Sequence, residues 1–490
     1  MIDTSNDTRQ EGVVRTRFAP SPTGYMHIGN LRVALYDYLI SKKLKGKFVL
    51  RIEDTDRNRF VSDAEQVIYD TMAICGLDYD EGPNKEGEYG PYKQSQRFEQ
   101  GLYMEYAKKL IESGDAYYCF CGNDENESEE ESENNTFAKY DRRCLKLSKE
   151  EIEENLKNGK PFVIRQKIPE GKTSFVDTIY GTIEVDNSEL EDMILIKSDG
   201  YPTYNFANII DDHLMNITHI IRGVEYLSSA PKYTLLYKAF GWQEPIYIHC
   251  PHITDEEHKK LSKRLGHASV NNLLKQGFLP QAIINYIALL GWSPENDKEF
   301  FTLDELIDAF DYKRINKSNA VFDLQKFKWM NGEYYKAMPI EEFTKFVMPQ
   351  LEKYPSHYDK NEMADLLHSR IECFDDIDNV LDFVLQLPDY TNDIFENQKL
   401  KVTQEIARDV LIKMLPILEN ENDYSKENIT NVIKAFIAEQ DVKNGVVLWP
   451  LRAGLSGKMS SAGGAYELFA VFNKEESLRR IKIAIDKLSK

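Results

Sequence analysis

The residues best placed to do chemistry gather around a histidine that follows a turn too rich in proline and glycine to be regular. The segment is Arg17-Phe18-Ala19-Pro20-Ser21-Pro22-Thr23-Gly24-Tyr25-Met26-His27-Ile28-Gly29-Asn30, and it continues an apolar run opened by Val13 and Val14. Pro20, Pro22 and Gly24 interrupt regular structure. From Leu31 onward, Leu31, Ala34, Leu35, Tyr38 and Leu39 recur at helical spacing. A strand, a tight turn and a helix start leave backbone N–H groups pointing outward at the helix N-terminus, where a phosphate is stabilised. An imidazole at 27 and a glycine at 29 suit that use. A buried loop histidine is the plainer alternative.

Four further groups could contribute. Lys259-Lys260-Leu261-Ser262-Lys263-Arg264, followed by Gly266 and His267, is a basic stretch of the kind that is ordinarily just a solvated face. His249, His252 and His258 lie close to it but lack metal spacing, which leaves nucleotide contact or packing as their expected roles. Glu53-Asp54-Thr55-Asp56 follows the strand-like run 48–52, and ligands of open α/β sheets collect at such carboxyl ends. Helix capping is the competing role for Asp54 or Asp56. Cys119, Cys121 and Cys144 are spaced like zinc-binding thiols, although zinc wants four ligands and the alternative is a vestigial cluster of reduced cysteines.

The elements that must position these groups follow from periodicity. Helices are expected over 63–75 and 98–113. From about 117 to 187 the α/β rhythm is interrupted by cysteines and short β-like pieces at 162–167 and 182–185, which reads as an insertion. Strand-like 193–196 and 217–221 are expected to resume the sheet. Beyond 268 the chain turns helical, with an apolar run at 281–290 and helical spacing of Leu303, Leu306, Ile307 and Phe310.

Composition narrows the function class. The chain has 490 residues, 42% hydrophobic and 29% charged, with room for three or so domains. No run approaches a membrane span, and residues 1–12 lack a signal-peptide core. Six scattered cysteines argue against a disulfide framework, so a reducing, cytoplasmic setting is expected. The net charge is −20, and seven acids without a base fall between Asp124 and Glu133, a block whose composition suits a solvated loop. A nucleic-acid partner would have to be met by confined basic patches, with binding that weakens steeply in salt.

Taken together, the Arg17–Asn30 segment and the Lys260–Arg264 segment resemble the paired HIGH-type and KMSKS-type signatures of class I aminoacyl-tRNA synthetases. Their wording is similar to that of bacterial-type glutamyl-tRNA synthetases. Asn319-Ala320-Val321-Phe322-Asp323, Trp329-Met330-Asn331-Gly332 and the run 444–452 extend the resemblance over essentially the whole chain. One departure is Asn30, which stands where the HIGH pattern ends in His, although Asn can still hydrogen-bond a phosphate or ribose.

The resemblance implies a Rossmann-type α/β class I catalytic core with an α+β connective insertion, then an all-α anticodon-binding region. It divides the chain into a polar tail (1–12), two core halves (13–92 and 207–268) flanking an insertion for the tRNA acceptor end (93–206), a stem-contact helical domain (269–339) and two anticodon-binding helical domains (340–394 and 395–490). It implies ATP- and Mg²⁺-dependent formation of glutamyl-adenylate and transfer of glutamate to the terminal adenosine of tRNA(Glu). His27, Lys260 and Lys263 would be catalytic, with Gly24, Gly29, Asn30, Ser262 and Arg264 also at ATP. Arg17, Ala19, Ser21, Glu53, Tyr204, Asn208 and Arg222 would line the glutamate pocket. A close relative of the family, glutamyl-queuosine tRNA(Asp) synthetase, supplies a tyrosine four residues before the last cysteine. Tyr140 matches it and would make a fourth ligand with Cys119, Cys121 and Cys144, whereas Lys146 stands where other zinc-binding members carry histidine. Anticodon contacts are expected near residues 370–374, and the family suggests a monomer. A non-discriminating enzyme that also charges tRNA(Gln), and a catalytically silent tRNA-binding paralogue, are the alternatives.

Overall fold

The structure is a computed structural model, and the residues it describes are 14–55, 61, 63–121, 140–259, 261 and 269–490. The acidic block at 124–133 lies outside them. The chain forms two compact units, Met1–Leu274 with Ile283–Asp323, and Lys275–Ala282 with Leu324–Lys490.

The first unit opens with β1 (Arg15–Phe18), α1 (Ile28–Lys43) and β2 (Lys47–Leu50). The two strands pair in parallel, with Arg17 opposite Val49 and Phe18 opposite Leu50. Phe48, Val49 and Leu50 are fully buried, the continuous apolar run expected of a parallel strand covered on both faces. After α2 (Ala64–Ile74), the helix expected over 98–113 is in fact α3 (Gln94–Glu99) and α4 (Leu102–Ser113). Gly101 separates them at φ 75°, a left-handed conformation that stops the first helix and restarts the second.

The middle of this unit has a sheet of its own. In it β3 (Ala116–Cys119) and the later β7 (Ile194–Ile196) flank β4 (Val163–Gln166), all antiparallel. Strand β7 therefore does not resume the core sheet, as its apolar run suggests; apolar content fixes burial but not the partner strand. Between β4 and β7 a hairpin of β5 (Lys172–Asp177) and β6 (Gly181–Asp186) joins the core sheet instead. Helix α5 (Lys149–Lys157) starts at Ser148 with a capping box to Glu151.

The core sheet then continues through α6 (Tyr204–Leu214), β8 (His219–Gly223), α7 (Ala230–Phe240) and β9 (Ile246–Cys250), with strand order β6-β5-β9-β8. Strand β8 lies beside β1, where Thr218 N donates to Arg15 O at 2.9 Å and Arg15 N to Thr218 Oγ1 at 2.8 Å. The carboxyl ends of β1, β2 and β8 thus emerge together, the usual place for a ligand in an α/β sheet. A short β10 (Ile253–Thr254) pairs with β11 (Ala320–Val321), and α8 (Val270–Lys275), α9 (Pro280–Leu289) and α10 (Leu303–Ala309) precede β11.

Among its described residues the second unit is helical: α11 (Leu324–Ala337), α12 (Ile340–Leu351), α13 (Lys360–His368), the short α14 (Ile377–Val380) and α15 (Asp382–Leu385), α16 (Gln404–Asn420), α17 (Lys426–Glu439), α18 (Asn444–Ser456), α19 (Ala465–Val471) and α20 (Lys474–Leu488). Their apolar faces meet in one core that includes Phe343, Leu367, Leu411, Ile433, Leu451 and Phe469. No helix among the described residues is long and apolar enough to cross a membrane.

Candidate active site

The turn between β1 and α1 is held by backbone hydrogen bonds. Glu53 N donates to Pro20 O at 3.0 Å, and Val61 N to Pro22 O at 3.2 Å. Gly24 has φ 146°, which side-chain-bearing residues rarely adopt. His27 has extended backbone angles and caps α1, its Nδ1 accepting the Gly29 N–H at 3.0 Å. Nδ1 as acceptor puts the ring proton of the neutral imidazole on Nε2, which makes that nitrogen a donor toward an anion. A Cβ at position 29 would lie 3.3 Å from Nδ1, so glycine there leaves room for the capping ring. Ser21 and Asn30 are exposed, and Ala19, Gly24, His27 and Gly29 are half-buried.

Behind the turn lies a buried charge cluster. Arg17 Nε donates to Asp212 Oδ1 at 2.9 Å, and Arg51 Nη1 donates to the same oxygen at 2.8 Å. Arg51 Nη2 reaches Glu53 Oε1 at 3.0 Å. Arg222 Nη2 stands 3.8 Å from Asp212 Oδ2, with its guanidinium carbon 5.5 and 5.2 Å from the ring centroids of Tyr226 and Tyr233. Burial would push the Asp212 carboxyl up, but Arg17, Arg51 and Arg222 outweigh it and hold the group below its ordinary range. For Glu53 burial wins, despite Arg51 and Arg17, and its pKa is raised.

Arg222 differs from its neighbours. It is 5% exposed, and Nε, Nη1 and Nη2 are all buried without a hydrogen-bond partner among the described residues. Asp212 Oδ2, Glu53 Oε2 and Asn208 Oδ1 are in the same position. A desolvated guanidinium without acceptors is costly, and a planar carboxylate is the group that best satisfies its forked donors.

Helix α6 builds one wall. Tyr204, Asn208 and Asp212 are spaced by four and share a face, and the Asn208 amide donates to Tyr204 O at 2.8 Å. Tyr204 packs on Tyr226 with ring centroids 5.4 Å apart. Asp211 is satisfied from elsewhere: Gln94 Nε2 and Tyr103 OH donate to its Oδ2 at 2.8 and 2.9 Å, Arg97 Nε lies 2.6 Å from Oδ1, and Arg51 Nε stands 3.9 Å from Oδ2.

Arg17, Glu53, Tyr204, Asn208 and Arg222, singled out in the sequence, are thus brought into one region. Lys260, Ser262, Lys263 and Arg264 lie outside the described residues. Asp54 takes the capping role, accepting from Ser95 N at 2.8 Å and Ser95 Oγ at 2.6 Å at the start of α3. His249 packs in the core, its Nδ1 2.8 Å from Asp177 Oδ2, and burial lowers its pKa although Asp177 opposes this. Arg51 and Asp212 were missed by sequence reasoning. The available signals were an arginine ending an apolar strand and a carboxylate four residues beyond Asn208.

A separate cluster lies in the antiparallel sheet and the turn facing it. The sulfurs of Cys119, Cys121 and Cys144 all lie within 4.8 Å of one another. Tyr140 OH is 3.2 Å from Cys119 Sγ and 3.7 Å from Cys121 Sγ, and Arg165 stacks on its ring at 4.3 Å. Three soft sulfurs and a phenol oxygen converging this closely fit the closed four-ligand set of a structural zinc.

The profile described as tRNA synthetases class I (E and Q), catalytic domain, matches residues 13–329, and an anticodon binding domain matches 327–485. The chain belongs to the class I tRNA synthetases of this glutamate and glutamine group. Within it, the chain is 56% identical over 484 residues to a protein named glutamate-tRNA ligase from Lachnoclostridium phytofermentans, covering 97% of this chain and 99% of that one. It is 55% identical over 481 residues to one of the same name from Clostridium novyi, covering 97% and 98%. Among solved structures, a glutamate-tRNA synthetase from Elizabethkingia anophelis superposes with a TM-score of 0.81 at 34% identity, covering 96% of this chain and 99% of that one. A glutamate tRNA ligase from Elizabethkingia meningosepticum, solved in complex with its amino acid, gives 0.81 and 34%, covering 97% and 99%.

Proposed function

We propose that this protein is a glutamate-tRNA ligase whose amino-acid pocket is the Arg17–Arg222 cluster. The reaction joins glutamate to ATP through its α-carboxylate, releasing pyrophosphate, and then passes the activated glutamate to the terminal adenosine of tRNA(Glu). The observation that carries the pocket assignment is Arg222, a buried guanidinium with no hydrogen-bond acceptor among the described residues. Glutamate differs from glutamine by a charge in nearly the same shape, so recognition needs cations aimed at the side-chain carboxylate. Arg222 and Arg17 take that carboxylate, and Glu53 pairs with the α-amino group. Tyr204, Asn208, Ala19 and Ser21 complete the wall.

His27 Nε2 and the α1 N-terminus, with Gly24, Gly29 and Asn30, receive the ATP phosphates, which arrive with Mg²⁺. Lys263, assisted by Lys260, Ser262 and Arg264, meets the charge that develops on the leaving pyrophosphate. Displacement at phosphorus needs positioning and charge stabilisation rather than a protein nucleophile. Residues 93–206 grip the acceptor end, 269–339 contact the stem, and the helices of 340–394 and 395–490 receive the anticodon, with 370–374 among the contacts. Cys119, Cys121, Tyr140 and Cys144 hold a structural zinc that, when bound, cross-links the end of β3 to the turn at 140–146. The protein works as a monomer in the cytoplasm.

The test is aminoacylation of purified tRNA(Glu) with glutamate and ATP. Charging that needs all three substrates supports the reading, and none would overturn it. Lys263→Ala should lower adenylate formation by ~10²–10³ without unfolding the protein; wild-type turnover would remove Lys263 from its role. Metal analysis before and after chelation decides the zinc, one ion per chain being expected.

A further inference from the structure

We propose that Asp212 is the positioning residue that makes the pocket select an anionic side chain over a neutral one, an inference that rests on reading this site as a glutamate pocket. Arg17, Arg51 and Arg222 come from three places along the sheet, β1, the end of β2 and β8, and Asp212 pairs with all three. Its Oδ1 takes a hydrogen bond from Arg17 and another from Arg51, while Oδ2, with no hydrogen-bond partner among the described residues, faces Arg222. Arg17 Nη1 also donates to Ile221 O at 3.3 Å, so the guanidinium that Asp212 anchors is tied to the strand that carries Arg222.

Asp211, its neighbour in the chain, pairs instead with Arg97 and stands 3.9 Å from Arg51 Nε. The consequence of the Asp212 pairing is geometric. Without Asp212, three guanidiniums that now surround one carboxylate would repel each other, and Arg222 would lose its one ion pair with the protein among the described residues. The clamp for the side-chain carboxylate would then spread, while the groups that meet ATP would be untouched.

The experiment measures aminoacylation of tRNA(Glu) by the full chain, comparing wild type with Asp212→Asn and Asp211→Asn, and glutamine as a competitor of glutamate. Asparagine keeps the shape and removes the charge. Asp212→Asn should raise the glutamate KM by roughly 30-fold or more, the low end of what losing one partner of a buried charge pair costs. The ATP KM and inhibition by glutamine should hold within about threefold, so the discrimination between the two amino acids collapses. Asp211→Asn should lower thermal stability and leave that discrimination intact.

Equal changes in the glutamate and ATP KM, or an unchanged glutamate-to-glutamine ratio in Asp212→Asn, would overturn the proposal. If Asp212→Asn does not fold, Asp212→Glu decides, since it keeps the charge and displaces it by one methylene. A roughly 10- to 100-fold loss of discrimination supports the positioning role, and wild-type discrimination overturns it. A wild-type chain that charges no glutamate would instead defeat the functional reading beneath it.

Discussion

Arg480 and Arg222 are both sealed from water, and their surroundings are opposite. Arg480, in the helical unit, is 0% exposed and fully answered: Nη1 donates to Phe383 O and Leu455 O at 2.8 and 2.7 Å, Nη2 to Val384 O at 3.2 Å, and Nε to Glu476 at 2.6 Å. Arg222, in the α/β unit, is 5% exposed and has no hydrogen bond among the described residues. The first guanidinium ties α15, α18 and α20 together; its acceptors are carbonyls freed at helix C-terminal ends, where a cation is favoured. The second has one ion pair and two tyrosine rings but no hydrogen bond, a cost that a folded protein tolerates where a ligand removes it. Burial of a charge therefore says nothing about function until its hydrogen bonds are counted.

Removing each side chain should break the comparison in opposite ways. Arg480→Ala leaves Glu476 without its buried partner and three carbonyls without a donor, and should cost about 3–5 kcal/mol of stability in denaturant unfolding. Glutamate and ATP KM values should not move at temperatures where the variant is folded. Arg222→Ala should do the reverse. It should cost about 2–5 kcal/mol of glutamate recognition, read as a raised glutamate KM with nearly unchanged ATP KM. Its unfolding free energy should be unchanged or higher, because an unsatisfied buried cation is gone. Equal damage to both substrates, or marked destabilisation, would make Arg222 a structural residue like Arg480.

The same contrast explains what could be read from the sequence. The strand-turn-helix around His27 was legible because proline, glycine and helical periodicity are local signals. So were the helices at 63–75 and 281–290. Arg17 and Arg222 could be named from the resemblance, but nothing local marks one buried arginine as satisfied and another as not. Arg480 sits within Arg479-Arg480 on an amphipathic helix and reads as surface charge. Asp211 and Asp212 are adjacent, and only tertiary structure shows that they share Arg51 while Arg97 goes to the first and Arg17 and Arg222 to the second. Strand β7 was assigned to the wrong sheet for a related reason, since an apolar strand records that it is buried and not which strand it pairs with.

Asp54 gives a smaller test of the same distinction. It stands at the carboxyl end of β2 next to Glu53, yet both its oxygens are engaged by Ser95 at the start of α3. Asp54→Ala should cost about 1 kcal/mol of stability, as loss of a helix cap does, and leave the glutamate KM unchanged. A selective rise in that KM would move Asp54 from scaffold to pocket.

The smallest effect concerns the partner of Arg480. Burial would raise the Glu476 carboxyl, but hydrogen bonds from Arg479 and Arg480 prevail and its pKa lies below the ordinary value. A carboxylate with a lower pKa folded than unfolded stabilises the fold above the unfolded value. That stabilisation is lost as pH falls through the folded one. The Arg480 pair is buried on one side only, with Glu476 15% exposed, so solvent screens part of it. Glu476→Gln should therefore cost only about 0.5–1 kcal/mol at neutral pH. The difference from wild type should shrink in acid below the carboxylate range, where Glu476 is protonated in both states. Denaturant unfolding of the two proteins from pH 7 down to pH 3 checks this. A constant difference across that range would mean that Arg480 is held by its backbone carbonyls alone, an even sharper contrast with Arg222, whose charge the fold leaves for another molecule to meet.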